Sequence, residues 1–374
     1  MAVSLLALLT FPSRAGKFES EEDSSLLAGV KFSGMLDLRA SAADREVSWL
    51  RGGLGPLRYG GRDTDLDGRG DRRAFGASVP QASVVLDAEV PAGARLHVQA
   101  NFTMDAASGS AKVGVIEAYA EAQKAFGDDA FRLKAGGFIP HISWEHPDPA
   151  WSTRYTLTPS PIGAWVGEEI RVFGTELLWE RPIAKEHQVR LTGGGFSGGD
   201  QIGRLLWFRG FAAHDFQGDL AAEYPLLGRK VRPLEEHDGH LGYYGRGDVR
   251  LFDRTLELGS GYWTNNGDDR TGLPAQLDTL VFRTKVFHYG GKFEWKRVTL
   301  LAQSMKATVH STGRPAKDWS AAYGLGSVKW GAARLSVRYD RTWVRNWENA
   351  FGVTGFAGWD FGLRQQVALE YIYW

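Results

Sequence analysis

From about residue 28 onward the chain alternates apolar and polar positions with a period of two. The cleanest stretch interleaves Arg95, His97, Gln99, Asn101 and Thr103 with Leu96, Val98, Ala100, Phe102 and Met104. Before it, Ala82, Val84, Leu86, Ala88 and Val90 oppose Ser83, Asp87 and Glu89, and Phe32, Gly34, Leu36 and Leu38 oppose Lys31, Ser33, Asp37 and Arg39. Successive side chains of a strand point to opposite faces, so each segment predicts a half-apolar strand of roughly ten residues. Similar segments recur at 112–124, 130–138, 168–180, 186–196, 204–212, 217–224, 241–251, 255–264, 279–294, 298–309, 319–330, 334–345 and 363–374. No stretch shows a comparable helical period.

The connections alternate in length. Seven short ones, including 91–94, 127–129 and 331–333, fall between eight long ones at 41–73, 106–111, 139–167, 197–203, 225–240, 265–278, 310–318 and 346–362. About sixteen strands result, with fourteen as the alternative, and all long loops leave one end. A soluble sandwich has no reason for that alternation, and no repeat of fixed period supports a propeller. The expectation is therefore an all-β, up-and-down antiparallel transmembrane β-barrel with short periplasmic turns and long extracellular loops. One face of each strand then meets lipid and the other a watery lumen, and closure leaves no unpaired edge in hydrocarbon.

Composition sharpens this reading. The 374 residues hold 44 Lys+Arg against 44 Asp+Glu and no Cys, so there is no cationic field for nucleic acid and no thiolate chemistry. Gly, at 47 residues, is about twice its usual share, and the 14 Trp gather near strand ends, where interfacial aromatic girdles are expected. The apolar start, residues 1–15, reads as an export signal lacking a basic n-region, leaving 16–374 as one outer-membrane barrel domain. At the other end Val367, Leu369, Tyr371 and Tyr373 form the better lipid face, with Ala368, Glu370 and Ile372 opposite.

At the end of the fifth strand, Gly136, Phe138, Pro140 and Glu145 follow the basic residues Arg132 and Lys134. This segment resembles the one preceding the third loop in Gram-negative outer-membrane porins of the phosphate-selective porin O/P type. The resemblance implies that the loop at 139–167 folds into the lumen and narrows it, and that a homotrimer is the typical assembly. The function expected is passive diffusion of small hydrophilic solutes or ions, with weak anion preference.

Candidate residues follow from face and position. Arg95, His97, Arg132, Lys134, Glu145, Arg154, Arg283 and Lys285 are the expected pore-lining or selectivity positions, because fixed charge in a lumen selects ions of opposite sign. Opposite charges paired across the wall would instead give a weakly selective pore. Asp63, Asp65 and Asp67, with Gly68 at position six and Asp71 at nine, follow a calcium-loop pattern, although Ala74 stands where the bidentate Glu belongs. No cofactor is required by this reading; Ca2+ in the first long loop is the candidate, and solutes and outer-membrane lipid are the partners. His141, Glu145, His146 and Asp148 fit no strong zinc spacing. No enzymatic signature emerges: His214, Asp215, His237, Asp238 and His240 form no triad pattern. Two alternatives stand beside the porin, a non-conducting barrel with a structural or surface-interaction role and a rim hydrolase that would depend on His141 or His146.

Overall fold

The computed structural model describes residues 2–9, 29–48, 57–65, 69–90, 93–105, 110–146, 149–226, 229–267, 281–311, 314–344, 349–361 and 365–374. Sixteen antiparallel strands close a barrel: β1 (Ala2–Leu9), β2 (Val30–Ala43), β3 (Ala74–Val90), β4 (Ala94–Asp105), β5 (Ser110–Phe126), β6 (Asp129–Phe138), β7 (Val172–Ala184), β8 (His187–Ser197), β11 (Gly242–Leu251), β12 (Leu256–Thr264), β13 (Phe282–Trp295), β14 (Val298–Ser311), β15 (Arg314–Trp330), β16 (Ala333–Val344), β17 (Asn349–Phe361) and β18 (Gln365–Tyr373). Each wall strand pairs with its sequence neighbours except at two places. β8 pairs with β11 across a long insertion, and β18 pairs with β1 to close the ring. The insertion carries a two-stranded ribbon, β9 (Tyr224–Leu226) with β10 (Arg229–Val231). Two short helices, α1 (Pro161–Glu169) and α2 (Arg204–Arg209), lie in the connections.

The alternation is realised as the pattern predicts. Leu96, Val98, Phe102, Leu133, Leu191, Leu335, Val337, Val367 and Leu369 are exposed on the outer wall, while Gln99, Asn101, Glu176, Asp248, Gln303, Ser336 and Glu370 are buried within it. Bulges at Asp37/Arg39, Val79/Ala82 and Gln99/Ala100 adjust the register on β2 to β5 without reversing the faces of whole strands. The long connections 44–73, 139–171, 198–241 and 265–281 leave one end, opposite short turns such as 127–128, 185–186 and 331–332.

Three expectations need correction, and with β1 the count stays at sixteen. Residues 204–212 are not a strand. Leu205, Leu206, Trp207 and Phe208 run without alternation, and α2 is bracketed by Gly203 and Gly210, both at positive φ. The segment 217–224 adds no wall strand, since only Tyr224–Leu226 forms the small ribbon. Conversely, 346–362 is mostly strand β17 rather than loop. Its inward positions include Gly352 and Gly358, which carry no side chain and so hide the period. Ala2–Leu9, within the span read as an export signal, is placed as strand β1, paired with β18 and with β2 along its length. Positions 1 and 10–15 of that span lie outside the described residues.

The glycine excess has a packing reason on the inner face. A Cβ at Gly194 would stand 2.5–2.6 Å from the Tyr244 ring of the adjacent β11. Bare backbone on one strand thus accommodates an aromatic ring on the next.

Candidate functional site

The lumen is where the chemistry of this barrel converges. The connection after β6 turns inward. Glu117 Oε1 on β5 accepts the Ile139 N–H at 2.8 Å and redirects the chain as it leaves the wall. Ser160 then caps α1, its hydroxyl accepting from the Gly163 N–H at 3.2 Å with Pro161 in the first turn. All nine residues of α1 are buried, which no surface helix would allow.

Wall side chains clamp this loop along its length. Gln303 donates to the Ile142 carbonyl at 2.8 Å and accepts from the Trp144 N–H at 3.3 Å. Arg246 donates to the His141 carbonyl at 2.7 Å, and Gln81 to the Ala150 carbonyl at 3.0 Å. Glu370 accepts the Leu157 and Thr158 N–H groups at 2.6 and 3.1 Å. The densest clamp is Arg338, which is fully buried. It donates to the Thr158 and Pro159 carbonyls at 2.5 and 3.1 Å, to the Thr156 hydroxyl at 3.1 Å and to Asp340 at 2.8 Å, and lies 3.5 Å from Glu145. Glu145 in turn accepts the Ser160 N–H and hydroxyl at 3.0 and 2.5 Å. Burial pushes the Glu145 carboxyl up to about 7, against the lowering effect of Arg338.

A second inward segment, 198–218, part of which the alternation assigns to wall strands, completes the filling. Arg209 on α2 grips Glu168 with both terminal nitrogens, at 2.9 and 2.5 Å, and His214 stands 3.1 Å from the same carboxylate. Burial alone would raise Glu168, but Arg209 and His214 outweigh it and hold the carboxyl down at about 2. Its neighbour Glu169, buried and beside Glu168, is pushed up to about 7 although it accepts the Leu205 N–H at 3.0 Å. Arg171 donates to the Val166 and Gly167 carbonyls at the end of α1 and to the Gly218 carbonyl, tying the two segments together. Farther round the ring, Asp215 bridges Arg39 of β2 and Arg58 of the first long loop at 2.8 and 3.0 Å. Gln217 accepts from Gln99 and Asn101 of β4 at 3.2 and 2.9 Å.

Between these polar ties lies an apolar core inside the barrel. Ile162, Trp165, Val166, Leu206 and Trp207 pack with the wall residues Phe282, Val286, Met305, Val309 and Trp319, each no more than 5% exposed. The long-loop half of the lumen is therefore narrowed by protein. The short-turn half keeps open space between charged side chains. Gln123, Arg132, Glu180, Arg190 and Arg250 surround a space of about 220 Å³ there.

The expected selectivity residues divide accordingly. Arg95, His97, Arg132 and Lys134 all face inward, and each has a carboxylate beside it. Arg95 lies 3.1 Å and Arg132 3.6 Å from Glu121, His97 lies 2.9 Å from Asp87, and Lys134 lies 3.2 Å from Glu176. His97 also stacks on Tyr119 at 4.7 Å. Arg154 is exposed in the loop near Tyr155 and Glu294. Glu145 lies in the buried clamp. Arg283 and Lys285 must be corrected: they share the outward face of β13 with exposed Phe287 and Tyr289, whereas Phe282, Thr284 and Val286 point inward. Polar residues at a strand end interrupt the alternation, so their face follows only from the register.

Asp63, Asp65 and Asp71 come together, with carboxylate oxygens within 4.8 Å of one another, and Asp71 accepts the Thr64 N–H at 2.9 Å. Such oxygens suit a hard cation. Asp67 and Asp148 lie outside the described residues. Sequence reasoning passed over Arg338, Glu370, Arg171 and Gln217 as site residues. The inward parity of Arg338 and Glu370 was visible, but nothing in a single strand shows what it will clamp.

No family model matches the chain, and no curated protein matches it. Solved structures do. The outer membrane channel DcaP of Acinetobacter baumannii is similar at a TM-score of 0.51 and 10% identity, over 92% of this chain and 97% of that one. An anion-selective porin from Comamonas acidovorans gives 0.46 at 8% identity over the whole of both chains, and OmpF of Salmonella typhi gives 0.45 at 9% over 100% and 96%. The likeness to DcaP supports the fold, a porin-like β-barrel.

Proposed function

We propose that the protein is a porin-type channel of the outer membrane, constricted from within by 139–171 and 198–218, through which small hydrophilic solutes and ions diffuse. The observation that carries this is the polar inner wall around a loop clamped by Arg338, Glu370, Gln303 and Gln81. A sixteen-stranded ring encloses more space than its own side chains fill, and these loops occupy it. Because Arg95, Arg132 and Lys134 each sit beside a carboxylate, ion preference is weak, and any anion bias comes from arginines around the short-turn space. A phosphate-selective role would need cations in excess of their partners along the solute path, and the pairing argues against so narrow a specialisation. Catalysis is not part of this reading: the Ser143 hydroxyl lies 3.0 Å from His146 Nδ1, but that buried imidazole stacks on Trp151.

Planar-bilayer recording of the refolded chain under a salt gradient tests the proposal. Stepwise conductance that grows when 139–171 is shortened supports a constricted pore, with a small reversal potential. The apolar core of Ile162, Trp165 and Leu206 favours the second reading, a non-conducting barrel with a structural role. Silence from a folded barrel, before and after shortening the loop, selects that reading.

A further inference from the structure

We propose that the short-turn half of the lumen holds a subsite for small zwitterions of the free α-amino acid kind, with the carboxylate on Arg190 and Arg132 and the ammonium on Glu180. The inference rests on the porin reading, whose solutes it names by class. The register puts the three residues on one inner face. Glu180 of β7 stands directly opposite Arg190 of β8. On the other side of β7, Arg132 of β6 stands opposite Leu178, two residues from Glu180. Directly opposed side chains start about 5 Å apart and diagonal ones about 7–8 Å. All three line the space of about 220 Å³.

Opposite charges at facing positions of neighbouring strands ordinarily pair. Here that pair is split. Arg190 turns to Asp248 of β11, its Nε 3.3 Å from the carboxylate, and Glu180 turns to Arg250, whose guanidinium reaches from β11 past β8 to 3.4 Å. Arg132 has its Nε 3.6 Å from Glu121, too far for a hydrogen bond. Among the described residues, then, the terminal nitrogens of Arg132 and Arg190 donate no hydrogen bond, and one oxygen of Glu180 accepts none. The Arg132 and Glu180 side chains are 34% and 26% exposed, so solvent reaches these groups. At the liquid share of ~30 Å³ per water, the space takes roughly seven waters, which a solute of about that many non-hydrogen atoms would displace.

The charge pattern selects the solute. Asp248 serves both Arg190 and Arg246, Glu121 both Arg95 and Arg132, and Arg250 lies between Glu180 and Glu257. Both signs therefore alternate around the space. A simple anion would meet the arginines but be repelled by Glu180, and a simple cation would meet the reverse. A zwitterion whose ammonium and carboxylate share one carbon answers both charges of the split cross-strand pair.

Saturation-transfer NMR on the refolded full chain in detergent, with L-serine, glycerate and serinol as probes, tests this. The three are alike in size and carry both charges, the negative one alone and the positive one alone. Serine should bind most tightly to the wild type. E180Q should weaken serine about tenfold or more and bring glycerate level with it, and R190Q should weaken serine as much and bring serinol level, the loss expected for one charge-assisted bond. Both variants should fold, because Asp248 keeps Arg246 at 2.8 Å and Arg250 keeps Gln188 at 3.2 Å. Equal affinity for the three probes, or a serine preference that survives both substitutions, would overturn the proposal. So would glycerate bound by the wild type as tightly as serine, which marks a plain anion site. Salt conductance of the same preparation bears on the porin reading separately: conductance without serine preference removes the subsite alone, and serine preference in a silent barrel removes free diffusion while keeping the subsite.

Discussion

Replacing Arg338 by Leu isolates the clamp on the inward loop. The guanidinium makes three bonds to that loop, at Thr156, Thr158 and Pro159, and its loss leaves the buried Asp340 and Glu145 without their cation. Deleting one partner of a buried ion pair costs about 3–5 kcal/mol, more than hydrogen bonds to neutral groups alone would. The barrel wall should survive, because β16 keeps its full ladder to β15 and β17. The loop should not stay docked. A change of that size raises the undocked population by a factor of about 10² to 4 × 10³, given 1.4 kcal/mol per tenfold. Single-channel recording should show larger or noisier conductance, and limited proteolysis should cut within 139–171. Replacing Glu370 by Gln removes charge but leaves one acceptor for Leu157 and Thr158, so its effect should be smaller. If R338L folds, conducts as the wild type does and resists cleavage equally, the clamp does not hold the loop.

Lowering the pH from 8 toward neutrality should tighten the filling. Glu145 and Glu169 are pushed from the ordinary 4.5 to about 7, so the docked loops bind more protons than released ones between those values, and docking weakens as pH rises through 7. His141 and His146 oppose this only below their ordinary 6.5, because Arg246 beside the first and burial of the second keep both neutral when docked. Glu168 and Asp215, both held at about 2, oppose it only below the ordinary carboxylate range. Openings or proteolytic cuts should therefore be more frequent at pH 8 than at pH 6.5, and E145Q should flatten much of the trend; a reversed slope would contradict the burial argument. Exchanging Arg95, Arg132 and Lys134 together for Glu should move the reversal potential toward cations, and an unchanged value would take them out of the ion path. D215A leaves Arg39 and Arg58 buried without their shared carboxylate, and should lower the thermal unfolding temperature of the refolded barrel. Equal melting would show that Asp215 does not join the first loop to the wall.

Much of the wall was legible because a strand's side-chain period is local. Leu96 to Met104 and Val367 to Tyr373 declare their lipid faces without reference to any neighbour. Failures came where the signal was silent. Gly352 and Gly358 blanked the period of β17, and Leu205 to Phe208 offered no alternation by which to recognise α2. The face of Arg283 and Lys285 depended on a register that runs from Phe282 to Trp295 and is fixed by pairing with β14.

By itself, then, the sequence determined the kind of molecule: alternating strands of membrane length, short turns against long loops, and charge in balance. Each of these follows from interactions within a few residues or from composition. The contents of the lumen were decided only in three dimensions. Arg338 meets Thr158 across 180 positions, Asp215 meets Arg58 across 157, and Gln217 meets Asn101 across 116. Such pairs form because the closed ring brings distant strands around one space, and a buried charge or amide left there must find a partner or be expelled.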